Sequence, residues 1–311
     1  MEESVSKAYG YSKYGGPETE TWFDRPIPVP GPSELVIEVR AIGVNPVDYK
    51  IRDGGTADPA ATPEFPLVLG VEAAGVVVAT GSDVDSFSKG DEVMGKAAPD
   101  HGTYAEHAVL LASSCVNKPP QLSFAAAAVI PVAGATAWEA LDALNLRAGE
   151  TLLINGIGGG VGVIAAQLAR DREVAVFGVG SEAKREITET VGAILIPYDT
   201  GSVVDQVRAM LPDGVDAVFD VVGGAALSEV EVLAADPARI VSVVDPGVEK
   251  MGGVFLVSTG SGAAPVAEMI TAGKVDPKIL QTVAFDEAPQ ALRGIESGHS
   301  LGKVVIEVAA S

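Results

Sequence analysis

The chain is short of the residues that make metal centres and disulfides: 311 residues contain one cysteine and three histidines. With Cys115 alone there is no intrachain disulfide and no cysteine-based structural zinc site, and a small buried apolar residue is the expected role for this thiol. His101, His107 and His299 stand among unrelated neighbours, so zinc held by them would need carboxylate help. Basic residues are scarce too, 21 against 42 acidic, giving a formal charge of −21 and a pI near 4.4. A field of that sign repels nucleic acid and anionic membranes, and neither is expected as a partner. No apolar run reaches the roughly 20 residues of a membrane helix. The start MEESVSKAYG has neither an apolar signal core nor an Arg-rich transit character, so a cytoplasmic protein is expected.

What is abundant is glycine, 36 residues, well above the usual share of roughly 7%. Five of them fall in TLLINGIGGGVGVIAAQLA, residues 151–169, around which the chain is organised. Leu152, Leu153 and Ile154 read as a buried strand, and Val161, Ile164, Ala165 and Leu168 recur on one helical face. Between them, Gly156, Gly158, Gly159, Gly160 and Gly162 let backbone N–H groups approach a ligand, and the following helix offers unpaired donors and the positive end of its dipole. The register G-x-x-G-x-x-G is one residue longer than the common dinucleotide fingerprint, but the strand before and helix after make it a pyrophosphate cradle.

The rest of the chain divides by texture. Residues 5–120 carry Gly, Pro and short alternating runs, such as Leu35, Ile37, Val39 and Ala41 against Val36, Glu38, Arg40 and Ile42, and read as mostly strand. Further strands are expected at 67–78, 91–94 and 103–111. Past Pro119-Pro120, residues 123–133 and 134–146 read as two helices. Strands at 173–178, 193–196, 215–221 and 239–244 then alternate with helices at 182–191, 203–211 and 225–235, the pattern of a doubly wound parallel sheet. A last strand at 254–257 edges that sheet, a helix near 265–272 leaves it, and a helix at 287–297 with a strand at 303–308 forms a tail. The expected division is 1–122 plus 263–311 against 123–262.

Three more segments, GVNPVDYKIRDG at 43–54, PLVLGVEAAGVVVATGSDV at 66–84 and SLGKVVIEV at 300–308, together with the cradle, resemble the medium-chain dehydrogenase/reductase superfamily. Within it the chain is similar to the zinc-free quinone oxidoreductases related to zeta-crystallin and their enone-reducing relatives. The resemblance implies an α/β chain with a GroES-like, mostly-β catalytic domain that the tail rejoins, a Rossmann domain, and a homodimer paired through the edge of the nucleotide-binding sheet. Asn45 and Val71 match positions that hold Cys and His in zinc alcohol dehydrogenases, so metal-assisted alcohol oxidation is not expected.

What the resemblance leaves is hydride transfer to an acceptor that is already electrophilic, a quinone, enone or enal, with protein donors meeting the developing oxyanion. Asn45, Asp48, Tyr49 and Lys50 lie in the loop that lines the family's nicotinamide cleft. Lys50 is the candidate oxyanion partner, or a solvated lysine with Asp48 capping the turn; Tyr49 donates a proton or, preferably, walls the pocket. On the cofactor side the resemblance implies Thr136 beside the nicotinamide ribose, or as a helix-start hydroxyl. It also implies Gly223 and Gly224 near the cofactor, Val243 and Val244 at a strand tip facing the crevice, and Lys303 contacting cofactor or snorkelling.

The second strand should end in an acidic residue if NADH is preferred, but reads Phe177-Gly178-Val179. Ser181, Lys184 and Arg185 follow, and Tyr198 matches a family tyrosine near the 2′-phosphate, so NADPH is expected over NADH, with Glu182 the residue that speaks for NADH. Two other readings stand beside the reductase: a nucleotide-binding structural or regulatory protein without turnover, and an enoyl-thioester reductase of a biosynthetic pathway.

Overall fold

A computed structural model describes residues 5–55, 63–298 and 301–310; His299 and the serine that opens the terminal motif lie outside them. The chain divides into two units, Met1–Val132 with Ile279–Ser311, and Ala133–Lys278.

The first unit opens with β1 (Val5–Tyr11), β2 (Glu20–Pro26), β3 (Glu34–Val44), helix α1 (Pro46–Arg52), β4 (Leu67–Val68), β5 (Glu72–Thr80), β6 (Glu92–Lys96), β7 (His107–Leu111), β8 (Val116–Asn117) and α2 (Phe124–Ala127). The run expected as one strand at 67–78 is broken after Val68, because Gly70 takes a left-handed φ of 92°. In β3 the apolar members of both alternating sets, Leu35, Ile37, Val39 and Ala41 and also Val36 and Ile42, are inaccessible, while Glu38 and Arg40 are partly buried. The reason is position, since β3 pairs with β5, β7 and the last strand of the chain, in the middle of its sheet.

The second unit runs α3 (Ala135–Leu144), β9 (Thr151–Asn155), α4 (Gly160–Asp171), β10 (Ala175–Gly180), α5 (Arg185–Thr190), β11 (Ile194–Pro197), α6 (Val203–Met210), β12 (Ala217–Asp220), α7 (Gly224–Val230), β13 (Ile240–Ser242), β14 (Val254–Phe255) and α8 (Ala263–Thr271). Its six strands are all parallel, in the order β11-β10-β9-β12-β13-β14, the 3-2-1-4-5-6 order of a dinucleotide-binding sheet, with the switch point between β9 and β12. Leu153, Phe177, Val179, Val218 and Ile240 form a core with Val203 and Val207 of α6 and Leu227 and Val230 of α7. Strand β10 starts two residues later than its apolar run suggested: Glu173 adopts φ 59° and Val174 N–H turns back to the Ala169 carbonyl. Its end accordingly falls at Gly180 rather than at Phe177-Gly178-Val179.

The tail supplies β15 (Ile279–Ala284), α9 (Ala288–Glu296) and β16 (Lys303–Glu307), and β16 lies antiparallel on β3, Val304 opposite Val44. The boundaries differ from those read in the sequence, 122/123 and 262/263. Helix α2 packs on β3, β5 and β16 of the first unit, while α8 packs on α3, and the Gln167 side chain bonds both backbone groups of Asp276. The helical stretch Phe124–Leu144, with mean hydropathy 1.5, is long and apolar enough to cross a membrane by length and composition, yet 67% of its most apolar 18-residue window is buried inside the protein.

Candidate cofactor and substrate sites

In the second unit the cradle is built at the carboxyl ends of β9, β12 and β13. Gly156 follows β9 with φ 96°, and a Cβ there would meet Val221 and Val222 side chains at 2.6 and 2.8 Å; its N–H and that of Ile157 bond Val179 O. At Gly162 a Cβ would run into the carbonyls of Gly156 and Ile157 at 2.6 and 2.7 Å, so the helix can sit this close to the turn only without a side chain. Gly158 is covered by the Lys184 stem. Gly159 differs: it is exposed, its φ of −88° suits any residue, and the nearest atom to a Cβ lies 3.6 Å away. Nothing among the described residues requires glycine there, and the space a side chain would take is open to a pyrophosphate. Gly159 caps α4 without a side-chain bond, leaving the first-turn N–H groups of Gly160, Val161 and Gly162 with no intrahelical acceptor. The residues present fit a dinucleotide.

Three polar residues that sequence reasoning passed over support the turns beside the cradle. Fully buried Asp220 accepts bonds from Asn155 Nδ2 (2.7 Å) and Ser242 Oγ (2.7 Å) and from the N–H groups of Val222 and Gly223. Ser242 Oγ in turn accepts from Val244 N–H, and Val243 N–H bonds Asp220 O. Gly223 adopts φ 78°, and Gly224 N–H bonds Asp245 Oδ2 at 2.8 Å. The signal was there: LLIN, AVFD and IVS are three apolar strands of one sheet, each ending in a polar residue. Val222 and Val244 leave apolar side chains exposed on this rim.

At the ends of β10 and β11, Ser181, Lys184 and Tyr198 come together. Gly180 pairs with Pro197, Tyr198 N–H bonds Gly180 O, and Tyr198 is 59% exposed. Burial lowers the pKa of Lys184, whose stem lies over Gly158. Arg185 is engaged elsewhere, its guanidinium bonded to Glu182 at 2.5 and 2.8 Å and to Glu189 at 3.1 Å; these bonds to Glu182 and then Glu189 hold it charged. Glu182 is thereby occupied as well. Thr136 is buried in the first turn of α3.

In the first unit the expected catalytic loop is α1 with its N-cap, and most of its polar groups face inward. Pro46 starts the helix, and Asp48 Oδ2 reaches back to the Asn45 N–H (2.9 Å) while accepting the Tyr104 hydroxyl (3.0 Å). Asn45 Nδ2 donates to Glu72 Oε1 at 2.8 Å and to Gly43 O. The Lys303 ammonium donates to Asn45 Oδ1 (2.7 Å), Glu72 Oε1 (3.1 Å) and Val44 O (3.2 Å), and Glu72 Oε2 accepts Val132 N–H. Asn45, Asp48, Glu72 and Lys303 are all buried. Asn45 and Asp48 thus bond within and around α1, and Lys303 makes three bonds inside the unit. Glu72 and Tyr104 were not singled out from the sequence.

The far end of α1 is fixed by fully buried Arg52, which bonds Glu20, Asp53, Glu296 and the Gly15 carbonyl. Between Asp48 and Arg52, Tyr49, Lys50 and Ile51 keep surface, and the first two carry polar groups. Tyr49 is half-buried against the apolar core, and burial, with Glu296 and Asp53 nearby, raises its phenol pKa, which suits a wall better than a proton donor. Lys50 is exposed. Of the histidines, His101 is exposed and His107 buried on β7. Among the described residues no group of three or more His, Cys, Asp or Glu is arranged to hold a metal ion.

Comparison with known proteins agrees with this architecture. Residues 31–120 match the alcohol dehydrogenase GroES-like domain and residues 192–306 the family described as zinc-binding dehydrogenase. The human mitochondrial NAD(P)H oxidoreductase RTN4IP1 is 32% identical over 89% of this chain and 82% of its own length. The 2-methylene-furan-3-one reductase of Solanum lycopersicum is 33% identical over 97% and 79%. Among solved structures, the quinone oxidoreductase of Coxiella burnetii superimposes with a TM-score of 0.89 at 28% identity, covering 98% of this chain and 100% of that one.

Proposed function

Because the chain belongs to the medium-chain dehydrogenase/reductase superfamily, we propose that it is an NADPH-dependent reductase of quinones and α,β-unsaturated carbonyls that works without a metal ion. The cofactor half of this reading is supported by the cradle and its unfilled space over Gly159. The observation that carries the metal-free half is Lys303. Where zinc alcohol dehydrogenases hold a thiolate ligand, Asn45 receives a buried ammonium at 2.7 Å, and a cation already in that place repels a dication at short range. The second cation-facing group, Glu72, is spent on Lys303, Asn45 and the Val132 N–H.

When bound, NADPH supplies the hydride. The chain's residues bind it and stabilise what forms. Gly159 and the first turn of α4 receive the pyrophosphate, and Ser181, Lys184 and Tyr198 the 2′-phosphate. Asn45, Asp48 and Arg52 fix α1 at both ends so that Tyr49 and Lys50 present a set geometry, Tyr49 as wall and Lys50 as donor to the oxygen that gains charge as the electron-poor carbon is reduced. An acceptor of this kind needs no Lewis acid. A homodimer through the edge strand β14, with Val254 exposed on it and Val257 just after it, and a cytoplasmic location belong to the same reading.

The experiment is a panel of acceptors followed at the nicotinamide absorbance with chelator-treated protein. Short enals, enones and small quinones should oxidise NADPH and saturated aldehydes and ketones should not. Lys50→Met should lower the turnover number by about 10²- to 10³-fold, the usual loss for one oxyanion donor, with little change in NADPH binding. One zinc per chain with activity lost on its removal would contradict the metal-free reading. Turnover with an unaffected Lys50→Met enzyme would discard Lys50.

A further inference from the structure

The loop after β14 carries the run Ser-Thr-Gly-Ser-Gly at residues 258–262, and its polar groups converge on one carboxylate. Glu139 Oε2 accepts the Thr259 N–H at 2.8 Å; Oε1 accepts the N–H groups of Gly260 (2.9 Å) and Gly262 (3.2 Å) and the hydroxyls of Thr259 (3.2 Å) and Ser261 (3.1 Å). Burial opposes the charge on Glu139, yet the bonds from Thr259, Gly262, Ser261 and Ser258 hold its carboxyl below the usual range. Backbone N–H groups converging in a turn form an anion-binding concavity, and here the anion that receives those of Thr259, Gly260 and Gly262 is a side chain of α3. Contact fixes the loop as well. A Cβ at Gly262 would lie 2.7 Å from Trp138 Cβ and 2.8 Å from the Ala135 carbonyl oxygen, so the loop backbone is pressed against the turn of α3 that carries Thr136.

The position of this loop gives its bonding to Glu139, a latch between loop and helix, a role. Leu256 N–H bonds Ser242 O at 2.9 Å, so the chain leaves the sheet beside the carboxyl end of β13, on the rim where open α/β sheets bind their ligands. Thr136 and Glu139 are three residues apart on α3 and share a face. We infer that Glu139 is a positioning residue for the cofactor site, a built-in anion that holds residues 258–262 against the Thr136 turn in the geometry that receives the nicotinamide half of NADPH. The inference rests on the NADPH-reductase reading, and Glu139 itself touches no reacting atom.

The test is Glu139→Gly in the full chain, with three readouts. Hydrogen exchange of peptides covering 256–263 should lose protection. The KM for NADPH should rise about tenfold, as for a loop that keeps the competent geometry about a tenth of the time, while kcat changes little. Sodium formate, the size of the missing carboxylate, should restore both protection and KM, and sodium chloride at equal ionic strength should not. Glu139→Gln, which keeps the shape and loses the charge, serves if the glycine variant does not fold, and should raise the KM in the same direction. A merely structural glutamate would lower the Tm and leave KM and formate response unmoved, and that result overturns the inference. If the wild-type chain binds no NADPH, the functional reading fails, while exchange protection and its rescue by formate still decide whether the latch exists.

Discussion

Raising the pH is the perturbation that most directly probes the buried carboxyl of Asp48. Its side chain is inaccessible to solvent, Oδ2 accepts two bonds, and Oδ1 has no partner among the described residues. Burial lifts its pKa from 3.8 to about 7, and the bonds from Asn45 and Tyr104 and the field of Lys303 offset this only in part. A folded pKa above the unfolded one means that the folded state holds the proton more tightly. The protonated carboxyl therefore contributes stability that is fully present below the unfolded pKa of about 3.9 and is lost as pH rises through the folded one. At 1.36 kcal/mol per pKa, the full loss is about 4 kcal/mol, of which about 2–3 kcal/mol falls between pH 5 and 8. Asp48→Asn keeps an oxygen for both donors and cannot ionise. The chain has two tryptophans, one in each unit, so urea unfolding of a Trp138→Phe background reports the first unit through Trp22 alone. Relative to wild type, Asp48→Asn should gain about 2–3 kcal/mol from pH 5 to pH 8. Parallel pH profiles for the two proteins would show that Asp48 is ionised in the folded state at little cost, and would refute the account of how α1 is held.

Two alanine substitutions in the cradle should separate packing from binding. Gly162→Ala, with 2.6 and 2.7 Å to two carbonyls, should cost about 1–3 kcal/mol of stability in thermal unfolding, as overpacking does. Gly159→Ala, with 3.6 Å of clearance, should leave stability unchanged and weaken NADPH by tenfold or more in a titration. Lys184→Ala removes one charge-assisted bond to the 2′-phosphate and should weaken NADPH by roughly 10- to 150-fold while sparing NADH. Arg185→Ala should do less, since its guanidinium is already shared between Glu182 and Glu189.

Local patterns carried the second unit. An apolar triplet, a glycine turn and a helical stripe at residues 151–169 are contiguous, so the cradle was legible, and the strand–helix alternation after it already implied parallel pairing. Boundaries were less so: Glu173 belongs to an apolar run by neighbourhood but to a turn by its φ, and β15, half exposed on a sheet edge, has no alternation to read. The polar cluster of the first unit was the least legible. Glu72 lies 27 residues from Asn45 and 231 from Lys303, and a buried carboxylate, amide and ammonium give no local sign that they will meet. Each of them, read alone in sequence, looks like a group facing solvent or ligand. Only their mutual burial shows that Asn45 and Lys303 spend their bonds on each other, leaving Lys50 as the cation of that loop with free surface.

The central claim is hydride delivery from NADPH to the electron-poor carbon of an activated alkene, and isotopic labelling tests it most directly. Chelator-treated protein is given NADPH carrying deuterium at the nicotinamide C4 position and a short cyclic enone, and the product is examined by mass spectrometry and NMR. The account predicts a saturated ketone with one deuterium at the carbon β to the carbonyl, one product per NADPH consumed. Deuterium on the carbinol carbon of an unsaturated alcohol, or transfer that requires added zinc, would contradict it.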